Sequence, residues 1–238
     1  MIRFLFILLA LIPSFSALAQ TGGSYQVFKG DTINRTDSRG LKQGLWRKYY
    51  RTDTLCSETL FKNNKPYGVS RTWNENGKLK AEVVFETKDP RRASGVSFYE
   101  NGKVMARGRY FDQKKDSVWV FYGENDSIKA IERYVKGLAE GEWSVFYEDG
   151  RLAEIKTYVK GKREGHYRQF NLNGNLIFEM QYKADVEDGP VRIFYGDGSK
   201  REEGMYRKGL KEGTWTYFDS SGKVLNRVVF VNGVEKTD

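Results

Sequence analysis

Gly141-Glu-Trp-Ser-Val-Phe-Tyr-Glu-Asp-Gly150 and Gly213-Thr-Trp-Thr-Tyr-Phe-Asp-Ser-Ser-Gly222 follow one pattern, G-x-W-x-x-aromatic with a second glycine nine residues after the first. Working outward from them, the pattern recurs with origins at 44, 68, 93, 117, 141, 165, 189 and 213, every spacing being 24 residues except one of 25 between 68 and 93. Fixed-period self-similarity is the signature of a repeat architecture. With the origin counted as position 0, it is glycine in Gly44, Gly68, Gly141, Gly165, Gly189 and Gly213, with Ala93 and Ser117 as exceptions. Position 5 is aromatic in all eight copies: Tyr49, Trp73, Phe98, Tyr122, Phe146, Phe170, Phe194 and Phe218. Position 17 is aromatic in all eight as well: Phe61, Phe85, Tyr110, Tyr134, Tyr158, Tyr182, Tyr206 and Phe230. Sixteen aromatics at sixteen positions, against a 15% background, fix the register. Position 9 is Gly77, Gly102, Gly150, Gly174, Gly198 or Gly222, replaced by Asp53 and Asp126 in two copies. Trp46, Trp119, Trp143 and Trp215 stand at position 2.

Each unit reads as two strands and two turns. The first strand is rich in aromatic and β-branched residues, as in Glu142–Tyr147. Asx-Gly at the tight turn accepts the positive φ that a twisted hairpin requires. A return strand follows, and a Gly-x-x-x-Gly link such as Gly137–Gly141 is expected to be the second turn. Glycine recurs too often for a helix. Pro66 and Pro90 fall between units and Pro190 at the start of a strand, where a missing N–H is tolerated. A lone hairpin is marginal in water, so stacked neighbours must supply the stability. The expected fold is therefore all-β: an elongated single-layer antiparallel sheet of about eight stacked 24-residue β-hairpin repeats. Positions 2 and 5 have opposite parity, so either both faces carry aromatics or a bulge lies between them.

The remaining chain is read around these repeats. Arg3, the apolar run Phe4–Ile12 and Ala17-Leu18-Ala19 make residues 1–19 a cleavable signal peptide. Residues 20–40 form a lead-in or cap, 41–233 the repeat domain and 234–238 a tail. Removing Arg3 from 40 basic and 31 acidic residues leaves 39 and 31, a net +8. The positives are interleaved with acids along the chain, as solvated turns require. Cys56 is the only cysteine, so no intrachain disulfide forms.

Chemistry is sparse. His166, the only histidine, sits at position 1, which also holds Glu142, Thr214 and Leu45. A variable repeat position does not suit a catalytic base. One histidine and one cysteine make no zinc set. Asp185, Glu187 and Asp188 lack the spacing of an EF-hand loop and read as a solvated link. The Gly196-Asp197-Gly198 run is a hairpin turn, with no strand–helix context for a phosphate loop. No catalytic residue, cofactor or metal is assigned; the aromatics read as a packing ladder, which disfavours nucleic acid.

The motif G-x-W-x-x-Y-x-x-x-G-x-L, a later aromatic and the Gly-x-x-x-Gly link resemble the MORN repeat, in its bacterial variant form. Proteins built wholly of this variant are commonly labelled YwqK-type antitoxins. The resemblance implies a ribbon of hairpins acting as a scaffold or binding surface, in some members near phospholipid. Ala93, Gly95 and Ser117 depart from the pattern, marking repeats three and four as a bend or a specialised site. The expectation is an exported, non-enzymatic protein-binding surface in the periplasm, on the outer membrane or outside the cell. Its partner is a toxin or an envelope protein; peripheral binding to anionic lipid is the alternative.

Overall fold

The computed structural model describes residues 23–236. The signal segment expected at 1–19 lies outside them. Hairpin turns of two kinds set the architecture. At the tight turn, the Gly150 N–H donates to the Tyr147 carbonyl (3.0 Å) and the Tyr147 N–H donates to the Arg151 carbonyl (2.8 Å). Gly150 has φ of 85°, as the sequence requires. The second turn differs from expectation. It is a two-residue turn at Lys160-Gly161, whose φ values of 49° and 85° match the type I′ geometry that suits twisted strands. The residues after that glycine are strand, so outgoing strands begin about four residues earlier than expected, at Lys162 and not at His166 in unit six. Pro190 consequently lies inside a strand, paired with Met205, and Pro66 pairs with Phe61.

Gln26–Phe28 (β1) and Asp31–Ile33 (β2) form a small hairpin, and Arg35–Thr36 (β3) leads into the repeats. Unit one is Lys42–Tyr49 (β4) and Leu55–Lys62 (β5); unit two is Lys65–Trp73 (β6) and Leu79–Phe85 (β7). Unit three is Arg92–Phe98 (β8) and Val104–Phe111 (β9); unit four is Lys114–Tyr122 (β10) and Ile128–Val135 (β11). Unit five opens with a broken strand, Leu138–Ala139 (β12) and Gly141–Phe146 (β13), before Leu152–Val159 (β14). Unit six is Lys162–Phe170 (β15) and Leu176–Lys183 (β16); unit seven is Val186–Phe194 (β17) and Lys200–Arg207 (β18). Unit eight is Leu210–Phe218 (β19) and Val224–Val231 (β20), with Val234–Glu235 (β21) folded onto its edge.

From β3 to β21 each strand pairs antiparallel with its chain neighbours, except that β12 and β13, the two pieces of one broken strand, both pair with β11. No pairing joins β3 to β21, so these strands form one open sheet; β1 and β2 pair only with each other, and the described residues contain no helix.

Two bulges recur. In the hairpin of unit five, Val145 pairs with Glu154 but Phe146 pairs with Leu152, leaving Ala153 over. The extra residue lies on the return strand, so the outgoing strand keeps its alternation. Trp at position 2 and the aromatic at position 5 therefore occupy opposite faces: both faces carry aromatics, and no bulge lies between the two positions. The second bulge is at the origin. Lys156 pairs with Tyr167 and Tyr158 with Arg163, so Glu164, Gly165 and His166 span one residue of β14. Gly165 carries φ of 80° there, and Ser117 takes 59° in unit four. Ala93 needs no such conformation. From Phe85↔Ala93 to Ala81↔Ser97 the register of β7 and β8 runs without a shift, and the 25-residue spacing is absorbed in the connection 86–91.

Candidate binding surfaces

Positions 2, 4, 13, 15 and 17 build one face, which carries most of the buried side chains: Trp119 (3% exposed), Trp215 (1%), Val191, Met180 and Tyr182. Trp at position 2 packs against the position 17 rings of its own and the preceding unit. Trp143 lies 5.1 Å from Tyr134 and 4.6 Å from Tyr158, and Trp215 lies 5.3 Å from Tyr206 and 6.2 Å from Phe230. Tilted and edge-on rings at these separations suit the aromatic quadrupole. Two residues before the origin, a cation covers the ladder in several units: Lys42 lies 4.4 Å from the Trp46 ring, Lys211 3.9 Å from Trp215 and Arg163 4.0 Å from Tyr182. The indole N–H of Trp119 donates to the Arg109 carbonyl (2.9 Å) and that of Trp143 to the Arg133 carbonyl (2.8 Å). In Trp215 the same nitrogen is buried without a partner.

In the middle of this face the row of positions 2 and 15 turns polar. Position 15 is Thr59, Val83, Gly108, Met180, Gly204 or Val228 in six units, but Glu132 and Lys156 in units four and five. The Tyr134 hydroxyl donates to Glu132 (2.6 Å), and Lys115 stands 3.7 Å from the same carboxylate. The Tyr167 hydroxyl donates to Glu154 (2.8 Å), which also holds the Lys156 ammonium, while Gln169 donates to the Tyr167 oxygen (2.6 Å). Burial, reinforced by the neighbouring carboxylates, pushes both phenols well above the usual tyrosine range, and burial holds Lys115 below the usual lysine range.

The other face carries positions 3, 5, 11 and 14. Position 3 pairs across the hairpin with position 14. In units one, two and six these pairs are ionic: Arg47–Glu58 (2.7 Å), Arg71–Glu82 (2.8 Å) and Arg168–Glu179 (2.8 Å), with Arg192 reaching Glu179 from unit seven (3.0 Å), while in unit eight Thr216 pairs with Arg227. Burial alone would raise the Glu179 pKa; the two guanidiniums outweigh it and hold the carboxyl below the usual range. In the centre the ladder stops. Val96 pairs with Arg107, Val120 with Ile131 and Ser144 with Ile155. Beside them run the position 5 rings Phe98, Tyr122 and Phe146, each partly exposed, with the Arg107 guanidinium 5.4 Å from the Tyr122 ring. The result is an apolar patch rimmed by charge. The β1–β2 hairpin covers the same face at its start, where Phe28 lies 4.2 Å from Tyr49 and Asp31 pairs with Arg47 (2.7 Å).

The sequence-derived anchors thus divide among four jobs. Origin glycines form bulges, position 9 glycines close turns, positions 2 and 17 pack one face and position 5 lines the other. The ion-pair ladder was missed, although Arg at position 3 with Glu at position 14 in units one, two, six and seven would have revealed it. Also missed was an alternation of period two units. Tyr50, Tyr99, Tyr147 and Tyr195 at position 6 of the odd units each donate a hydroxyl to the position 5 carbonyl of the next unit, at 2.7–2.8 Å. His166 is solvent-exposed with its ring 4.0 Å from Glu179, and Cys56 is partly buried at a bulge position. Asp185 sits in a two-residue turn and accepts the Arg163 N–H (2.9 Å), while Glu187 and Asp188 lie within β17. No group of three or more His, Cys, Asp or Glu among the described residues is placed to hold a metal ion.

No curated protein matches this chain in sequence. Among solved structures, a S. aureus TarM mutant in complex with fondaparinux, alpha-GlcNAc-glycerol and UDP is 13% identical over 41% of this chain and 19% of that one, with a TM-score of 0.30. A TcdB2–TccC3–Cdc42 structure is 10% identical over 88% of this chain and 14% of that one, with a TM-score of 0.19. The chain thus spans less than a fifth of either. The family model of the MORN repeat variant matches five stretches, residues 42–63, 66–86, 139–160, 163–184 and 211–232. Those stretches fall on units one, two, five, six and eight, so this is a β-hairpin repeat protein in which five of the eight hairpins are similar to the MORN repeat variant.

Proposed function

We propose that this chain is an exported, non-enzymatic scaffold that binds a protein partner through the apolar centre of its ion-pair face. The observation that carries the reading is the interruption of the Arg–Glu ladder at Val120 and Ile131, where other units hold charge. An apolar centre inside a charged rim is the anatomy of a protein interface. The segment between the matched stretches, 87–138, contributes both residues, so the patch lies in units that have drifted from the family pattern. Antitoxin-like proteins built of this variant motivate a toxin as the narrower choice of partner.

The repeat supplies its own test. Val120→Arg with Ile131→Glu writes the ion pair of units two and six into unit four, so the double variant keeps the fold while removing the patch. Loss of a central interface anchor costs about 2 kcal/mol or more, roughly thirtyfold in affinity. Pull-down from an envelope fraction should recover a partner with the wild-type protein and lose it with the double variant. Equal recovery by both, or none by the wild type, overturns the reading. The net charge supports peripheral binding to anionic lipid as the second reading; retention on anionic vesicles by both proteins at low salt would favour it instead.

A further inference from the structure

The four position 2 tryptophans do not have the same surroundings, and the difference lies in the residue beside each ring. Gly108 precedes Trp119 and Gly204 precedes Trp215 in the row, and a Cβ on either glycine would meet the indole at 2.3 Å. Those two rings lie down on bare backbone and are buried. Beside Trp143 the same place is taken by Glu132. A side chain thus stands where the other two rows have bare glycine backbone, and the Trp143 ring stays partly exposed between Tyr134 and Tyr158.

Around this ring stand four charged groups: Glu132 on one side with Lys115, the cation that covers the Tyr134 ring of the ladder (4.9 Å), Lys156 directly across the hairpin, and Glu154 beyond it. Two carboxylates and two ammonium groups leave the row without net charge. That balance disfavours a cationic guest, which Lys115 and Lys156 repel, and an anionic one, which Glu132 and Glu154 repel. It suits a neutral guest that offers many donors and acceptors at once. The hydroxyls of a pyranose do so, while its C–H face is apolar and lies against an aromatic ring. Their positions are pre-set, since Tyr134 holds Glu132, Tyr167 holds Glu154 and Gln169 holds Tyr167. Little ordering remains to be done on binding.

We infer that the Trp143 face of units four to six is a binding site for a neutral oligosaccharide, with Trp143 as its stacking platform and Glu132, Glu154 and Lys156 as its hydroxyl partners. It lies on the face opposite the proposed protein patch, and the two sites are independent.

The test uses the full chain titrated with cellohexaose, maltohexaose and chitohexaose, followed by tryptophan fluorescence and calorimetry. At least one should bind saturably at or below about 1 mM, the range of modest affinities. Trp143→Ala should weaken that binding by at least about tenfold, and Glu154→Gln by less. Trp143→Phe, which keeps a ring in the ladder, should retain part of it. Affinity should not change between low and high salt, because the guest carries no charge. The Val120→Arg/Ile131→Glu variant should bind the saccharide like the wild type, which separates this site from the protein patch. Absence of saturable binding to all three probes by the folded wild type, or binding unaffected by Trp143→Ala, overturns the inference.

Discussion

Gly204→Val adds side-chain atoms where a single Cβ would already lie 2.3 Å from the Trp215 indole. The indole is 1% exposed and has no room to retreat, so the ring or the strand must shift. Overpacking of this kind costs about 1–3 kcal/mol. A urea titration should show the midpoint falling with the slope unchanged; an unchanged midpoint would mean the ring finds another rest position. The same chemistry explains why part of this site escaped the sequence reading. Aligning the units shows that position 15 is variable, and variability alone reads as unimportant. Its meaning comes from the residue across the strand pair: Gly beside Trp119 and Trp215, Glu beside Trp143. That adjacency joins one unit's return strand to the next unit's outgoing strand, and the periodic pattern within a unit does not contain it.

At the scale of the hairpin, periodicity made much more legible. The aromatics of positions 5 and 17 and the glycines of position 9 stand in the strands and turns that their spacing predicts. The link between units was misread because two glycines four residues apart resemble one loop. One closes a type I′ turn and the other is a bulge, and only the strand pairing distinguishes these uses of positive φ. The alternation of odd and even units is also an element-scale device. Tyr147, just beyond β13, donates to the Phe170 carbonyl at 2.7 Å, tying unit five to unit six at the turn end. Tyr147→Phe keeps the ring and removes the donor, leaving the carbonyl to solvent. A cost of about 1 kcal/mol is expected, seen as a fall in Tm of about 2–4 °C for a chain of this size. A thermal scan in which the two proteins coincide would show that the clasp contributes nothing.

Across the whole molecule, a repeat ribbon is as stable as its junctions, because each unit contacts only its neighbours. Two junctions differ from the rest. Between units two and three the origin bulge is absent and residues 86–91 form a longer connection, closed by the Glu86 N–H donating to the Arg92 carbonyl (2.9 Å). Between units four and five the strand facing β11 is broken into β12 and β13. Only Ala130↔Val145 and Ile131↔Ser144 pair on one side of the break, and Tyr134↔Ala139 and Val135↔Leu138 on the other. The gap holds Glu132 and Trp143; Gly108–Trp119 and Gly204–Trp215 fall outside the ladder pairing as well, but there the indole lies on bare glycine backbone. These junctions bound units three and four, whose residues fall between the family matches ending at 86 and resuming at 139. Amide exchange should therefore not be uniform along the ribbon. Local opening follows the weakest cooperative boundary, so backbone amides of 132–143 and 86–93 should exchange faster than those of the corresponding junctions at 156–167 and 180–191, which have the regular origin bulge. Glu132→Gly would let the Trp143 indole lie down as Trp215 does, and exchange at 132–143 should then slow toward that of the regular junctions. Equal protection at all four junctions in the wild type would show that the break in β12–β13 has no energetic weight. Slow exchange there, with no response to Glu132→Gly, would sever the connection between the exposed tryptophan and the weakened junction.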